Sequence, residues 1–351
     1  MTQADLAGVV AHGAAPERLD KFIERANAAY YATRDPFADF TTSPEISQAF
    51  GEIIGLWAAV TWDLLGRPTP VVLAEAGPGR GTLMVDALRA IGRMAPAFRA
   101  ALRIHLVETS PRLRAVQAER LPDATWHSTL TELPALPTVL IANEFLDALP
   151  IRQFVRRPGG WTERFVAEGR FVELPAGDPP FAPDCEAGVV VEIRPAALEI
   201  ARQIGERFAE APGGALMLDY GPEHSIAGDS LQALAHGRPA DPLASPGEAD
   251  LTAHVDFASV AAAAQAAGAS VHGPVPQGVF LTRLGLFQRT DRLARGQPPA
   301  RAMALIDAAR RLVEPDHMGR LFKALALCSP QCATPPGFEA WPVDQRSVIG
   351  R

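Results

Sequence analysis

An α/β fold built on a mostly parallel sheet is the architecture this sequence predicts, and three stretches carry the expectation. The run Val71-Val72-Leu73-Ala74-Glu75-Ala76 enters the glycine turn Gly77-Pro78-Gly79-Arg80-Gly81-Thr82, after which residues 83–90 read as an amphipathic helix. A second apolar run at 103–108 ends on Glu108, and a third at 138–142 leads into Asn143-Glu144-Phe145-Leu146-Asp147. Strands that alternate with helices and end on polar residues imply a parallel sheet whose ligand sits beyond the carboxyl ends of the strands.

The elements follow in order. Residues 1–70 read as a helical lid segment, with helices at 16–29 and 46–65. Between them, Ser43 is the expected N-cap, Pro44 the first helical position and Glu45 the first-turn acid, while the aromatics and hydroxyls just upstream suit a lid. The core is expected over 71–220: strands at 71–75, 103–108, 124–127, 138–142 and 215–221, and helices at 82–94, 111–120 and 195–208. Pro158-Gly159-Gly160 marks a hairpin insertion over 151–174. From 221 to 328 the pattern predicts a loop at 228–250, helices at 258–267, 277–293 and 301–313, and a closing strand at 321–327. Residues 329–351, broken by Pro and Gly, read as a loose tail.

The glycine turn narrows the ligand. Glycine is needed where backbone bends with positive φ or approaches a ligand, and the free N–H groups of the following helix favour acceptors. A dinucleotide turn wants its third glycine at position 82, which is Thr82 here; the third glycine comes early, at Gly81. An acid, one small residue and Gly-x-Gly-x-Gly, as in Glu75 to Gly81, favours S-adenosylmethionine over NAD. Glu108, at the tip of the second strand, suits a ribose in either case. Asn143, Glu144 and Asp147 place two acids and an amide at a strand end, where solubility does not call for them.

Composition bounds the rest. The 351 residues carry 33 Lys and Arg against 40 Asp and Glu, a net charge of −7, which argues against broad nucleic-acid or anionic-membrane binding. No apolar run approaches a membrane span, and the N-terminus lacks the pattern of a secretion signal. Three cysteines, Cys185, Cys328 and Cys332, suggest a reducing compartment, and a cytoplasmic location is the expectation. They complete no metal site, and the lone histidines His224, His236 and His254 read as turn or surface residues.

Several segments together resemble the class I methyltransferases of the mitochondrial complex I assembly factor, or mitochondrial dysfunction protein A, family. The resemblance is carried by Asp39-Phe40-Thr41-Thr42-Ser43-Pro44-Glu45-Ile46-Ser47, by Glu75 to Met84, by Glu108-Thr109-Ser110-Pro111 and by Asn143 to Pro150. Leu218-Asp219-Tyr220-Gly221, Ala249 to Phe257 and Met318 to Lys323 agree as well, so the likeness runs from about Pro16 to Leu327. One departure stands out: Phe37 and Asp39 are separated only by Ala38, where relatives carry a glycine-containing insertion.

The resemblance implies a Rossmann-like class I methyltransferase fold with S-adenosylmethionine as methyl donor. It also implies a protein arginine as acceptor, on the quinone-proximal catalytic subunit of complex I. On that reading Glu144 grips the guanidinium first and Asp147 second, beside Asn143. Glu75 orders the floor of the cofactor site, Gly77, Pro78, Gly79, Gly81 and Thr82 form the turn, Glu108 holds the ribose, and Thr42 and Ser43 are lid contacts. A cofactor-binding assembly chaperone with little catalysis and an NAD oxidoreductase are the alternatives. A homodimer remains open.

Overall fold

The computed structural model describes residues 15–34, 41–177, 179 and 185–339. In chain order, β1 (Glu17–Arg18) and α1 (Leu19–Thr33) precede α2 (Ser43–Ile46) and α3 (Gln48–Leu64). The core begins with β2 (Val71–Ala76), α4 (Thr82–Met94), α5 (Pro96–Ala101), β3 (Leu102–Val107), α6 (Pro111–Arg120), β4 (Thr125–His127) and β5 (Thr138–Asn143). Then come β6 (Arg152–Arg157), β7 (Gly160–Ala167), β8 (Arg170–Ala176), β9 (Val190–Ile193), α7 (Pro195–Glu210) and β10 (Gly213–Tyr220). The remainder is β11 (Gln232–Ala235), β12 (Arg238–Ala240), β13 (Asp250–Thr252), α8 (Phe257–Ala266), β14 (Ser270–Pro276), α9 (Gln277–Arg283), α10 (Leu286–Ala294), α11 (Pro299–Val313) and β15 (Phe322–Cys328).

The expected parallel sheet is present. Seven strands lie in the order β14-β15-β10-β5-β2-β3-β4, and β10, β5, β2, β3 and β4 pair in parallel. β15 runs antiparallel to both β10 and β14. β2 and β5 are adjacent, and the chain turns outward on opposite sides of them, so their carboxyl ends flank the crevice where such sheets take ligands. Both strands are buried along their whole length, as sheets covered on two faces require. One face carries α3–α5 and α9–α11 through Phe50, Trp57, Leu83, Phe98, Phe280, Leu286 and Leu312; the other carries α7 and α8 through Phe208, Phe257 and Val260.

Several expectations are corrected. Glu17 and Arg18 pair with β7 as a short strand, so the first helix starts at Leu19 rather than residue 16. The second starts at Gln48, because Ser47 is extended at φ −149° and breaks it from α2. α3 lies in the main core, so the 1–70 boundary separates a helix from the sheet it covers. The supposed loop at 228–250 folds into part of a three-stranded sheet, β12-β11-β13. Its strands are too short and too rich in turn residues to show a period.

The 151–174 hairpin belongs to a five-stranded antiparallel sheet with β1, β8 and β9. Gly285, left-handed at φ +85°, splits the expected helix at 277–293 into α9 and α10. Strand β14 gave no expectation, since Gly273 and Pro274 interrupt it. The loose tail is also corrected over 329–339. Trp57 Nε1 donates to the Pro336 carbonyl at 3.2 Å, Arg283 donates to the Gly337 carbonyl at 2.9 Å, and Phe338 packs on Phe280. Residues 340–351 and the shortened 37–39 segment lie outside the described residues.

Helices α3 and α4 are in close backbone contact. A Cβ on Gly55 would lie 2.6 Å from the Ala87 Cα and 2.8 Å from its carbonyl oxygen. Backbone cannot yield as a flexible side chain can, so Gly55→Ala overpacks the core. We expect it to lower unfolding free energy by about 1–3 kcal/mol, read as an earlier urea midpoint with unchanged slope.

Candidate active site

The glycine turn leaves β2 with three left-handed residues, Gly77, Gly79 and Gly81, at φ of +64°, +54° and +75°. Gly77 donates to the Val107 carbonyl at 3.0 Å, and a Cβ there would lie 2.8 Å from the Phe145 ring. Gly81 occupies the N-cap of α4 and offers no side chain, so the first N–H groups need partners from elsewhere. Glu75 supplies one: its buried carboxylate accepts from the Met84 N–H, while Oε2 has no partner. Burial pushes Glu75 up to about 8.

Glu108 continues from β3 and is 8% exposed. Its Oε1 accepts the Ser110 N–H at 2.7 Å, and burial raises its pKa above the ordinary range. Gln117 on α6 ties it to the turn. Its Nε2 donates to the Gly79 carbonyl at 2.7 Å and to Glu108 Oε2 at 3.3 Å, while its Oε1 accepts from Trp126 Nε1 at 2.8 Å. One fully buried amide therefore sets the spacing between turn and carboxylate.

Beyond β5 the chain bends at Glu144, a non-glycine residue held left-handed at φ +49°. The Glu144 N–H donates to the Leu218 carbonyl at 2.8 Å, and its Oε1 accepts the Ser43 N–H at 2.7 Å and Asn143 Nδ2 at 3.2 Å. Burial pushes the Glu144 carboxyl up to about 7, against the lowering effect of the Ser43 N–H. Ser43 is therefore not the expected N-cap. Thr42 takes that position and Ser43 opens the helix, because a carboxylate 101 residues away satisfies its N–H.

Asp219 and Arg194 hold the segment that follows. Asp219 Oδ2 accepts the N–H groups of Phe145, Leu146 and Asp147 at 3.1, 2.8 and 3.2 Å. Arg194 donates to the carbonyls of Leu146 and Asp147 at 2.6 and 2.8 Å, to that of Leu149, and to that of Ala253 at 2.7 Å. Asp147 accepts the Ala148 N–H at 2.9 Å; burial raises it to about 6 and the Arg194 charge opposes the rise.

These elements form the walls of an open cleft at the carboxyl ends of β2 and β5. Thr42, Glu75, Gly77, Pro78, Gly79, Thr82, Asn143 and Glu144 line it, so most of the residues singled out in the sequence converge. Gly81, Ser43, Glu108 and Asp147 are not among its lining residues; each holds a residue or segment at its edge. Tyr31, Arg80 and Leu83 line it without having been named as site residues, as do Pro44 and Glu45, expected only as helix-start residues. The α2 helix spans both ends: the Ser43 N–H donates to Glu144, and Thr82 Oγ1 donates to Glu45 Oε1 at 2.5 Å.

The residues fit a cationic nucleoside. The left-handed turn leaves backbone N–H groups at the helix N-terminus free for acceptors, and the atoms without partners at the cleft, Glu75 Oε2 and Asn143 Oδ1, are acceptors for a cation. Gln117 and Arg194 escaped the sequence reading because nothing in a polar helix or a pre-proline arginine marks a long-range partner. Asp219 carried a signal, an acid ending a buried strand.

Comparison with known proteins agrees with this geometry. The profile of an S-adenosyl-L-methionine-dependent methyltransferase family matches residues 53–275. "Protein arginine methyltransferase NDUFAF7 homolog, mitochondrial" of Drosophila melanogaster is 34% identical, aligned over 95% of this chain and 84% of its own. The Homo sapiens protein named "Protein arginine methyltransferase NDUFAF7, mitochondrial" is 33% identical over 89% of this chain and 79% of its own. Among solved structures, a likely methyl transferase of the COG1565 superfamily from Burkholderia thailandensis, bound to S-adenosyl-homocysteine, superposes with a TM-score of 0.77. It is 27% identical and covers 95% of this chain and 92% of that one.

The expected cytoplasmic location is overturned by these relatives, which are named mitochondrial. Unpaired cysteines report a reducing environment and do not choose among the compartments that provide one.

Gln117 generates a prediction. Gln117→Leu removes three hydrogen bonds and frees Glu108 from Gly79, so S-adenosylhomocysteine should bind about tenfold more weakly by calorimetry. Gly77→Ala should weaken it at least as much, since strain and the Phe145 contact add.

Proposed function

The chain belongs to the S-adenosyl-L-methionine-dependent methyltransferase family, and from that premise we propose that it is a protein arginine methyltransferase with Glu144 as its acceptor-binding carboxylate. One observation carries the proposal. Glu144 is a half-buried acid at the end of the strand beside β2, lining the same cleft as the glycine turn. The names of the relatives supply the acceptor class, and the resemblance described above extends the proposal to a subunit of respiratory complex I.

When bound, the donor supplies an electrophilic sulfonium methyl. The protein's share is to hold an acceptor nitrogen in line with it and to manage one proton. A guanidinium is protonated at ordinary pH and poorly nucleophilic. The ionised Glu144 carboxylate accepts two of its N–H groups in bidentate fashion, fixes which nitrogen faces the methyl, and draws positive charge toward its own side. Ser43 and Asn143 hold that carboxylate in place. As the N–C bond forms and the C–S bond breaks, the nitrogen loses a proton, and Glu144, raised toward neutrality, is placed to receive it. Asp147 lies behind it, and its negative charge helps raise Glu144.

Glu144→Gln tests the proposal. With labelled donor and a quinone-module subunit of complex I as acceptor, label should reach arginine with the unchanged protein. It should fall at least a hundredfold with the variant, while S-adenosylhomocysteine binding stays within threefold. Binding without label in the unchanged protein would support an assembly chaperone instead.

A pH prediction follows from the same group. Because Glu144 must be ionised and its pKa in the free protein is raised to about 7, kcat/KM for the acceptor should climb as pH rises through about 7. The corresponding limb of kcat should lie lower, since a bound cation favours the carboxylate.

A further inference from the structure

Tyr31, in the last turn of α1, is the aromatic residue among those lining the cleft. Its hydroxyl donates to Asp250 Oδ1 at 2.7 Å, and its carbonyl accepts from Ser110 Oγ at 2.9 Å, two residues from Glu108. Asp250 opens β13 and is 4% exposed. Asn27, one turn earlier on α1, exchanges hydrogen bonds with Leu251 at 2.8 and 3.1 Å and donates to the Ala148 carbonyl at 3.0 Å. The helix bearing the ring, the strand bearing its acceptor and the loop bearing Glu144 are therefore one hydrogen-bonded body.

This arrangement gives the ring a particular character. A phenol that donates to a carboxylate gains electron density on its face, which strengthens its attraction for a cation. Burial, with Asp250 and Asp147 nearby, holds the phenol proton well above its ordinary range, so Tyr31 acts through its ring and not as a base. Glu144 offers an edge that accepts N–H groups, and Tyr31 lines the same cleft with an electron-rich face. A flat, delocalised cation can use both at once, whereas a compact ammonium uses a face and an edge less well.

We infer that Tyr31, fixed by Asp250 and Asn27, is a specificity-determining residue of the acceptor side, forming the wall on which a planar guanidinium stacks while Glu144 takes its N–H edge. The inference rests on the arginine reading above and adds to it the residue that selects arginine over lysine.

The test uses the full chain loaded with S-adenosylhomocysteine, and follows binding of Nα-acetyl-arginine amide and Nα-acetyl-lysine amide by ligand-observed magnetic resonance. The unchanged protein should prefer the arginine ligand. Tyr31→Leu should weaken the arginine ligand about tenfold, within the range of a desolvated cation–π contact, and leave the lysine ligand and S-adenosylhomocysteine within threefold. Tyr31→Phe, which keeps the ring, should stay within about threefold of the unchanged protein for all three.

Equal losses for both ligands, or unchanged arginine binding in Tyr31→Leu, would overturn the inference. Should Tyr31→Leu fail to fold, Asp250→Asn decides: the arginine preference should fall two- to threefold, and an unchanged preference overturns it. Glu144→Gln keeps the two readings apart. If it loses the arginine ligand while Tyr31→Leu keeps it, only the role of Tyr31 falls; if the unchanged protein does not bind the arginine ligand, both fall.

Discussion

The site depends on how one segment of backbone without regular structure is kept in place after β5. Its amide protons point to Asp219 and its carbonyls to Arg194, so two side chains of opposite charge do for residues 145–149 what a helix or ladder does elsewhere. Buried backbone must be satisfied, and a lone ionised group inside a protein is costly. Removing either side chain would leave buried amides or carbonyls of the segment without a partner, at about 1–3 kcal/mol for each group stranded. With the segment immobile, Glu144 is kept at a left-handed φ that an unconstrained chain would relax.

The electrostatics of the cleft follow from the same economy. Glu75, Asp147, Asp219 and Asp250 are buried, Glu144 is half-buried, and the buried guanidinium of Arg194 is set among them. Burial raises Glu75, Glu144, Asp147 and Asp219. Such an excess is unfavourable in the free protein and becomes favourable when positively charged groups enter, so cation binding and ionisation of these acids reinforce each other. The α2 helix joins the two halves, since one short helix touches both Thr82 at the turn and Glu144 beyond β5.

The donor side of the site was readable in the sequence because its determinants are local. Glu75, the three glycines and Thr82 lie within eight residues, and a strand, a tight turn and a helix start each leave a pattern at that range. The parallel core followed for the same reason: β2, β3, β5 and β10 are mostly apolar segments of strand length, and β15, an antiparallel member, has a similar composition. Strands β9, β11, β12 and β14 left no such mark. They are short, interrupted by Gly or Pro, or amphipathic over too few residues, and they exist because neighbouring strands supply their hydrogen bonds.

By itself the sequence determined a nucleoside-type turn, an acid on the neighbouring strand and an acid-rich segment at the switch in strand order, because each is written within a few consecutive residues. Tertiary structure alone decided which of those acids face the cleft. Ser43 became a hydrogen-bond donor to Glu144 rather than a cap, Asp147 turned inward beside Arg194, and Gln117 and Tyr31 joined the site across 38 and 219 residues of chain. The physical reason is that a buried polar atom takes whichever partner the fold brings within 3 Å, and that choice is made in space, after the local elements have formed.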